Sequence, residues 1–352
     1  MEVNMQKPFV TAGLILLIMM LAYQPAAFAS AANPSIKFTY VPPYGIKNPD
    51  PNPNLLDSAK GRALNINPND YYVACYIYVA GVNWWPKPFF DPWKTGIGAN
   101  GNWSCDVSSS GIDEKATIIE AYLVHKAPDD PATAPSRDWL QQRASAIIAA
   151  RRVPSIPSQD GWVLECNETS NTGCTSNAGG NLRAGDDAAN KQYRSILSFS
   201  LANQTDHPLM PDGAVITRVS IKISKAGAAG TDPFTILGNL QAAIRRRCFG
   251  AVCGLETGDF QAAASVANIG SFQPINSVPG WYQVLIGANN YKYFDPTMNA
   301  TNRTQFRIKF ALDDNNNTAA NYVSFYSGNA VNTSPMTYPA LPPVLIIEYS
   351  VP

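Results

Sequence analysis

The chain is short of charge and of histidine, and it has no excess of either sign. Only 15% of its 352 residues are charged, Lys+Arg and Asp+Glu balance at 26 each, and there are 2 histidines. Nucleic-acid binding needs a basic face, so this balance argues against a nucleic-acid partner. His125 and His207 lie far apart in sequence, which leaves no His-rich metal spacing and little basis for a Ser-His-Asp triad. The sequence carries no G-x-S-x-G elbow, no H-E-x-x-H pair and no Gly-rich phosphate loop. After the N-terminal region, no apolar run approaches the roughly 20 residues that a membrane-spanning helix needs.

What is present points to strands, turns and export. Pro 28 and Gly 24, set among 45% apolar residues, describe many short strands separated by turns. Lys7, the apolar run 14–21 and Ala27-Phe28-Ala29 form a secretion signal, with cleavage expected near Ser30 and no membrane span remaining afterwards. An uncleaved anchor is the alternative. The 6 cysteines suit an exported chain, and pairing nearest neighbours gives Cys75–Cys105, Cys166–Cys174 and Cys248–Cys253. Sequons at Asn102, Asn167, Asn203, Asn299, Asn302, Asn316 and Asn332 mark expected surface turns.

The expected fold class is all-β, with two β-sandwich domains, the C-terminal one jelly-roll-like, and a short connecting helix. A small β-sandwich module is expected over 30–126, with a first strand at Ile36, Phe38 and Tyr40, followed by an Asn/Pro spacer at 48–54. A linker is expected over 127–158. Within it, Ser136 caps a helix at 138–152 whose Leu140, Ala144, Ile147 and Ile148 share one face. The larger domain, 159–352, carries candidate strands at 161–166, 181–184, 193–199, 215–224, 241–246, 281–286, 304–312, 322–326 and 344–349. In 215–224, Val219, Ile221 and Ile223 alternate with Arg218, Ser220 and Lys222, the pattern of a strand with one buried face. A short helical stretch is expected near 257–267.

Three groups of residues carry candidate chemistry. The densest aromatic cluster runs from Trp84 and Trp85 through Phe89 and Phe90 to Trp93 and is interrupted by prolines. It reads either as a sugar-stacking surface or as a packed loop closing the end of a sandwich. Arg245, Arg246 and Arg247 form a basic run that, with Trp281, Tyr291 and Tyr293, would hold an acidic polysaccharide through guanidinium–carboxylate pairs; the alternative is a charged edge strand. Asp186 and Asp187 in one turn, and Asp313, Asp314, Asn315 and Asn317 in another, offer the oxygen ligands that Ca²⁺ takes, or are ordinary turn residues. For glycoside hydrolysis the candidate carboxylate pairs are Glu165 with Glu168, Asp113 with Glu114, and Asp313 with Asp314.

Residues 181–199, together with 215–223, 259–265, 304–317 and the closing Leu345-Ile346-Ile347-Glu348-Tyr349, resemble the DNRLRE-type secreted β-sandwich modules, which are similar to carbohydrate-binding module family 96. That resemblance implies a jelly roll of the kind appended to polysaccharide-degrading enzymes or cell-surface proteins. Tyr40 to Gly45, Trp84 to Pro88 and Gly111 to Thr117 also resemble an accessory β module of secreted bacterial proteins, some with glycoside hydrolase domains. The function expected is non-catalytic binding of an extracellular or cell-wall polysaccharide, with calcium as a candidate cofactor. The alternatives are a self-assembling surface, matrix or filament subunit and, third, a polysaccharide-degrading enzyme.

Overall fold

Four successive residues of the last strand, Val344–Val351, face two different cores. Leu345 and Ile347 belong to one apolar cluster, Val344 and Ile346 to another. Side chains alternate between the faces of a strand, so this strand is covered on both sides and lies in a middle layer. The structure is a computed structural model that describes residue 1 and residues 32–46, 57–109, 111–202, 210–294, 303–330 and 341–352. Residues 2–29 of the expected signal, the spacer at 48–54, His207 and the sequons at Asn203, Asn299, Asn302 and Asn332 lie outside the described residues.

The protein is all-β and sandwich-like, built from large antiparallel sheets. The central sheet runs Gln273–Pro274, Trp281–Ile286, Val215–Ala229, Val344–Val351, Ala144–Pro154, Ala116–His125 and Tyr71–Val79, and ends with Asn83–Lys87 and Lys94–Thr95. On one of its faces packs a second sheet, in which Gly173–Ala178, Gly161–Glu165, Gln192–Ser200, Arg303–Phe310, Leu240–Arg246 and Val266–Ser271 pair in that order. Leu182–Asp186 and Asn321–Phe325 extend it beside Gln192–Ser200. Val215–Ala229 joins the two sheets. Its first part pairs in the central sheet, and its end, from Lys225 on, pairs with Asn321–Phe325. Val219, Ile221 and Ile223 fill the space between with Phe199, Phe306 and Phe310. Fully burying each such side chain contributes about 1.5–3 kcal/mol.

A three-stranded sheet of Ser35–Tyr40, Ser58–Leu64 and Asn102–Asp106 covers part of the opposite face of the central sheet. Ile36, Phe38 and Trp103 meet Val73, Ile77, Leu123 and Ile346 there. The close fit depends on Gly61. A β-carbon at that position would stand 2.1 Å from the Trp103 ring and 2.3 Å from the Lys37 carbonyl oxygen.

Two expectations about organisation are corrected. The helix expected at 138–152 ends at Arg143: Ser136 caps Arg137–Arg143 by accepting from the Trp139 N–H at 3.2 Å, and Ala144–Pro154 is a strand. That strand lies between Ala116–His125 and Val344–Val351, so the expected linker is the middle of a sheet shared by both halves of the chain. Its apolar run lacks alternation because both faces are covered, and a run of that kind also satisfies a helical period. The stretch near 257–267 is one turn of 3₁₀ helix, Thr257–Phe260, followed by the strand Val266–Ser271.

Candidate functional site

The aromatic cluster is organised by the hairpin of Tyr71–Val79 and Asn83–Lys87, in which Tyr78 pairs with Trp84 and Ile77 with Trp85. Successive residues point to opposite faces, so the two tryptophans part company. Trp84 lies against Tyr78, ring centroids 5.2 Å apart, and beneath the Arg137 guanidinium, 3.6 Å from the ring centroid. Arg137 in turn donates two hydrogen bonds, of 2.8 and 2.6 Å, to the Glu120 carboxylate. Trp84 is therefore packed on its exposed side. Trp85 is 39% exposed and meets Phe90 edge-to-face at 6.1 Å.

Beyond Lys87 the chain loops out and returns. Phe89 and Phe90 stand 52% and 55% exposed, whereas Trp93 is buried edge-on against Tyr72 at 5.4 Å. Trp93 thus anchors the loop and leaves the two phenylalanines outside. The peptide bonds before Pro88 and Pro92 are cis. A cleft of about 730 Å³ opens here, lined by Val82, Trp85, Phe89, Phe90, Ile112 and the two members of a buried ion pair, Lys87 and Asp113. That pair joins the hairpin to the short 3₁₀ helix Asp113–Lys115, with side chains only 5% and 9% exposed. Lys87 also donates to Ser109 Oγ at 3.2 Å, and Ser109 donates to the Pro88 carbonyl at 2.6 Å. An apolar aromatic rim over a fixed, charged wall suits a ligand with one flat apolar face and polar edges.

Several expected site residues are placed elsewhere. Trp281 is corrected from a stacking residue to a core one: it is 1% exposed and packs with Ile46, Val278 and Leu341. Tyr291 and Tyr293 are half-buried against the main core, and the Tyr291 hydroxyl donates to the Thr217 carbonyl at 3.2 Å. They therefore form no free platform beside the arginines. Arg245 and Arg246 end a strand whose pairing with Val266–Ser271 stops at Ile244; on the other side they pair with Gln305 and Thr304 of Arg303–Phe310. Arg247 follows it with φ +74°.

The two acidic turns do come together. Asp186 Oδ1 accepts from the Asn321 N–H and Asn190 Oδ1 from the Thr318 N–H, each at 3.0 Å. Burial pushes the Asp186 carboxyl up. The neighbouring oxygens already serve backbone donors: Asp187 accepts from Ala189 and Lys191, Asp313 from Asp314, Asp314 from Asn316, Asn315 from Asn317, and Asn317 from Ala319. Among the described residues no three His, Cys, Asp or Glu side chains gather as a metal-binding group. One oxygen of each of Asp187, Asp313, Asp314, Asn315 and Asn317 thus serves turn geometry, a use to which Asp and Asn are commonly put.

Of the expected disulfides, Cys166–Cys174 and Cys248–Cys253 are formed. The expected Cys75–Cys105 bridge is corrected: both are buried free thiols, adjacent between the central and outer sheets, and burial pushes the Cys75 thiol well up. Of the hydrolase candidates, Glu165 accepts from the Asn171 N–H at 2.6 Å and the Gln192 N–H at 3.3 Å while Glu168 is exposed, and Asp113 is held by Lys87.

Sequence reading named Trp84 and Trp85, gave no role to Lys87, and paired Asp113 with Glu114 as hydrolase carboxylates rather than with Lys87, 26 residues away. The one sequence signal of the ion pair was a lysine enclosed by prolines and aromatics. Searched against known protein families and curated proteins, the chain matches no family model and no curated relative.

Proposed function

We propose that the protein is a secreted, non-catalytic binder of extracellular or cell-wall polysaccharide and that Trp85, Phe89 and Phe90 form its stacking surface. The observation that carries this reading is the exposure of three large aromatic rings, 39–55%, around one cleft whose loop is anchored by a buried fourth, Trp93. Large exposed apolar patches are rare on soluble proteins without a binding role. Aromatic faces stack on the C–H faces of sugar rings, and the Lys87–Asp113 pair would orient hydroxyls at the ring edge. The two disulfides suit an exported chain.

The test is a glycan array followed by titration calorimetry, with and without Ca²⁺. Saturable binding to one polysaccharide class, lost in Trp85→Ala with an unchanged circular dichroism spectrum, supports the reading. Full binding by that variant removes the site. The same exposed rings are what a self-assembling subunit would bury, so sedimentation is run alongside. Concentration-dependent growth that Trp85→Ala abolishes, without any glycan binding, favours the surface-subunit reading.

A further inference from the structure

The outer sheet covers only part of the central sheet, and the register shows where the cover stops. Ile346 and Val344 lie beneath it. Directly paired residues of neighbouring strands share a face. Ile346 pairs with Ser220, and Ser220 with Leu285; Val344 pairs with Lys222, Lys222 with Gln283, and Gln283 with Gln273. Along each row the same face changes from buried aliphatic to polar at the second strand; the first row then ends on Leu285, which is 53% exposed, and the second on Gln273. Tyr40, at the end of the outer sheet, closes over Lys222, whose ammonium donates to the Val41 carbonyl at 2.6 Å and lies 4.2 Å from the Tyr40 ring centroid.

A cleft of about 570 Å³ fills the step so formed, bounded by Tyr40 and Lys60 on the outer sheet and by Arg218, Gln273, Gln283 and Leu285 on the central one. Its described lining includes two cations and no carboxylate. Lys60 makes no ion pair among the described residues. Arg218 has one carboxylate near it, Glu348, which is buried and 3.6 Å away, a loose contact that leaves the rest of the guanidinium to the cleft. The cleft therefore has an apolar floor, two carboxamides side by side and two positive charges converging from different sheets.

We propose that this cleft is a second binding site, specific for a saccharide unit bearing an oxyanion (a uronate carboxylate or a sulfate ester), held between Lys60 and Arg218 with its ring over Leu285. The proposal rests on the polysaccharide-binding reading above and adds to it a charge preference and a location away from the aromatic rim. Guanidinium and ammonium groups bind oxyanions through charge-assisted hydrogen bonds, and the glutamines supply partners for hydroxyls.

Calorimetry on the purified protein with a uronate hexasaccharide, a sulfated hexasaccharide and a neutral hexasaccharide tests it. At least one acidic probe binds, more weakly as salt rises. Lys60→Glu and Arg218→Gln each weaken that binding roughly tenfold or more. Comparing the two acidic probes identifies which oxyanion is preferred. Lys60 is half-exposed and unpaired, so its variant reports on the site even if Arg218→Gln, which leaves Glu348 buried without its cation, fails to fold. Unchanged acidic binding in a folded Lys60→Glu overturns the proposal, as does the absence of acidic binding to the wild type. In the second case, neutral-glycan binding that depends on Trp85 leaves the broader reading standing, whereas no binding of any probe ends both.

Discussion

Lys87 and Asp113 form a largely buried ion pair in the wall of the cleft beneath the aromatic rim, one partner at the end of a strand and the other in a 3₁₀ helix. Removing one member of such a pair leaves a buried charge uncompensated, at a cost of about 3–5 kcal/mol. Asp113→Ala is expected to lower the urea midpoint accordingly, while the double variant Lys87→Met/Asp113→Leu recovers most of the loss. Equal loss in the single and double variants would show that the pair contributes through packing rather than charge.

Trp85 and Trp93 lie eight positions apart and are expected to respond in opposite ways to removal. Trp85→Ala changes surface, so its melting temperature stays within a few degrees of wild type. Trp93→Ala empties a site that is 2% exposed and destabilises by about 3–5 kcal/mol. Thermal melts of the two variants check this, and similar losses would contradict the assignment of anchor and platform.

Gly61 is required by Trp103. Gly61→Ala would drive a methyl into the indole and the Lys37 carbonyl, and overpacking of this kind costs about 1–3 kcal/mol. Fluorescence-monitored urea unfolding measures it. A neutral Gly61→Ala would mean that the outer sheet is free to shift on the central one.

Asp160 gives stability a pH dependence. Its carboxylate accepts from Ser155 Oγ at 2.5 Å and from the Ser198 and Gly328 N–H groups at 3.0 Å each, but burial pushes its pKa up to about 7. An unfolded Asp titrates near about 3.9. The folded chain therefore keeps this proton across a window in which the unfolded chain has lost it. The contribution is complete below about pH 4 and is lost as pH rises through about 7. Unfolding free energies at pH 5 and pH 8 are expected to fall by less in Asp160→Asn than in the wild type. Asp259 and Glu348, raised to about 6 and about 7 by burial, add slopes of the same sign, so the comparison isolates the share of Asp160. An equal fall in both proteins would contradict it.

Much of the fold was legible from strand patterns. The alternation in 215–224 and the run at 281–286 correspond to Val215–Ala229 and Trp281–Ile286. Ala144–Pro154 was not legible, because Ala, Ile and Arg suit a helix and nothing local reveals that both faces are covered. Arg152 illustrates the point: the last residue of the expected helix is fully buried, its guanidinium bonded to the Pro42, Pro43 and Ala116 carbonyls. Of the candidate site, the aromatics could be read but their sorting could not. Trp85 and Trp281 are alike in sequence and opposite in burial, and only the long-range pairing decides which faces water. The cleft between Lys60 and Arg218 depends on where one sheet stops covering another, which no local pattern records.

The most direct test of the polysaccharide-binding reading is calorimetric titration of the wild type and Trp85→Ala with the glycan that scores highest on the array. Saturable binding by the wild type, weakened at least tenfold in a folded Trp85→Ala, is the result predicted. Equal binding by both proteins, or no binding to any glycan, would contradict it.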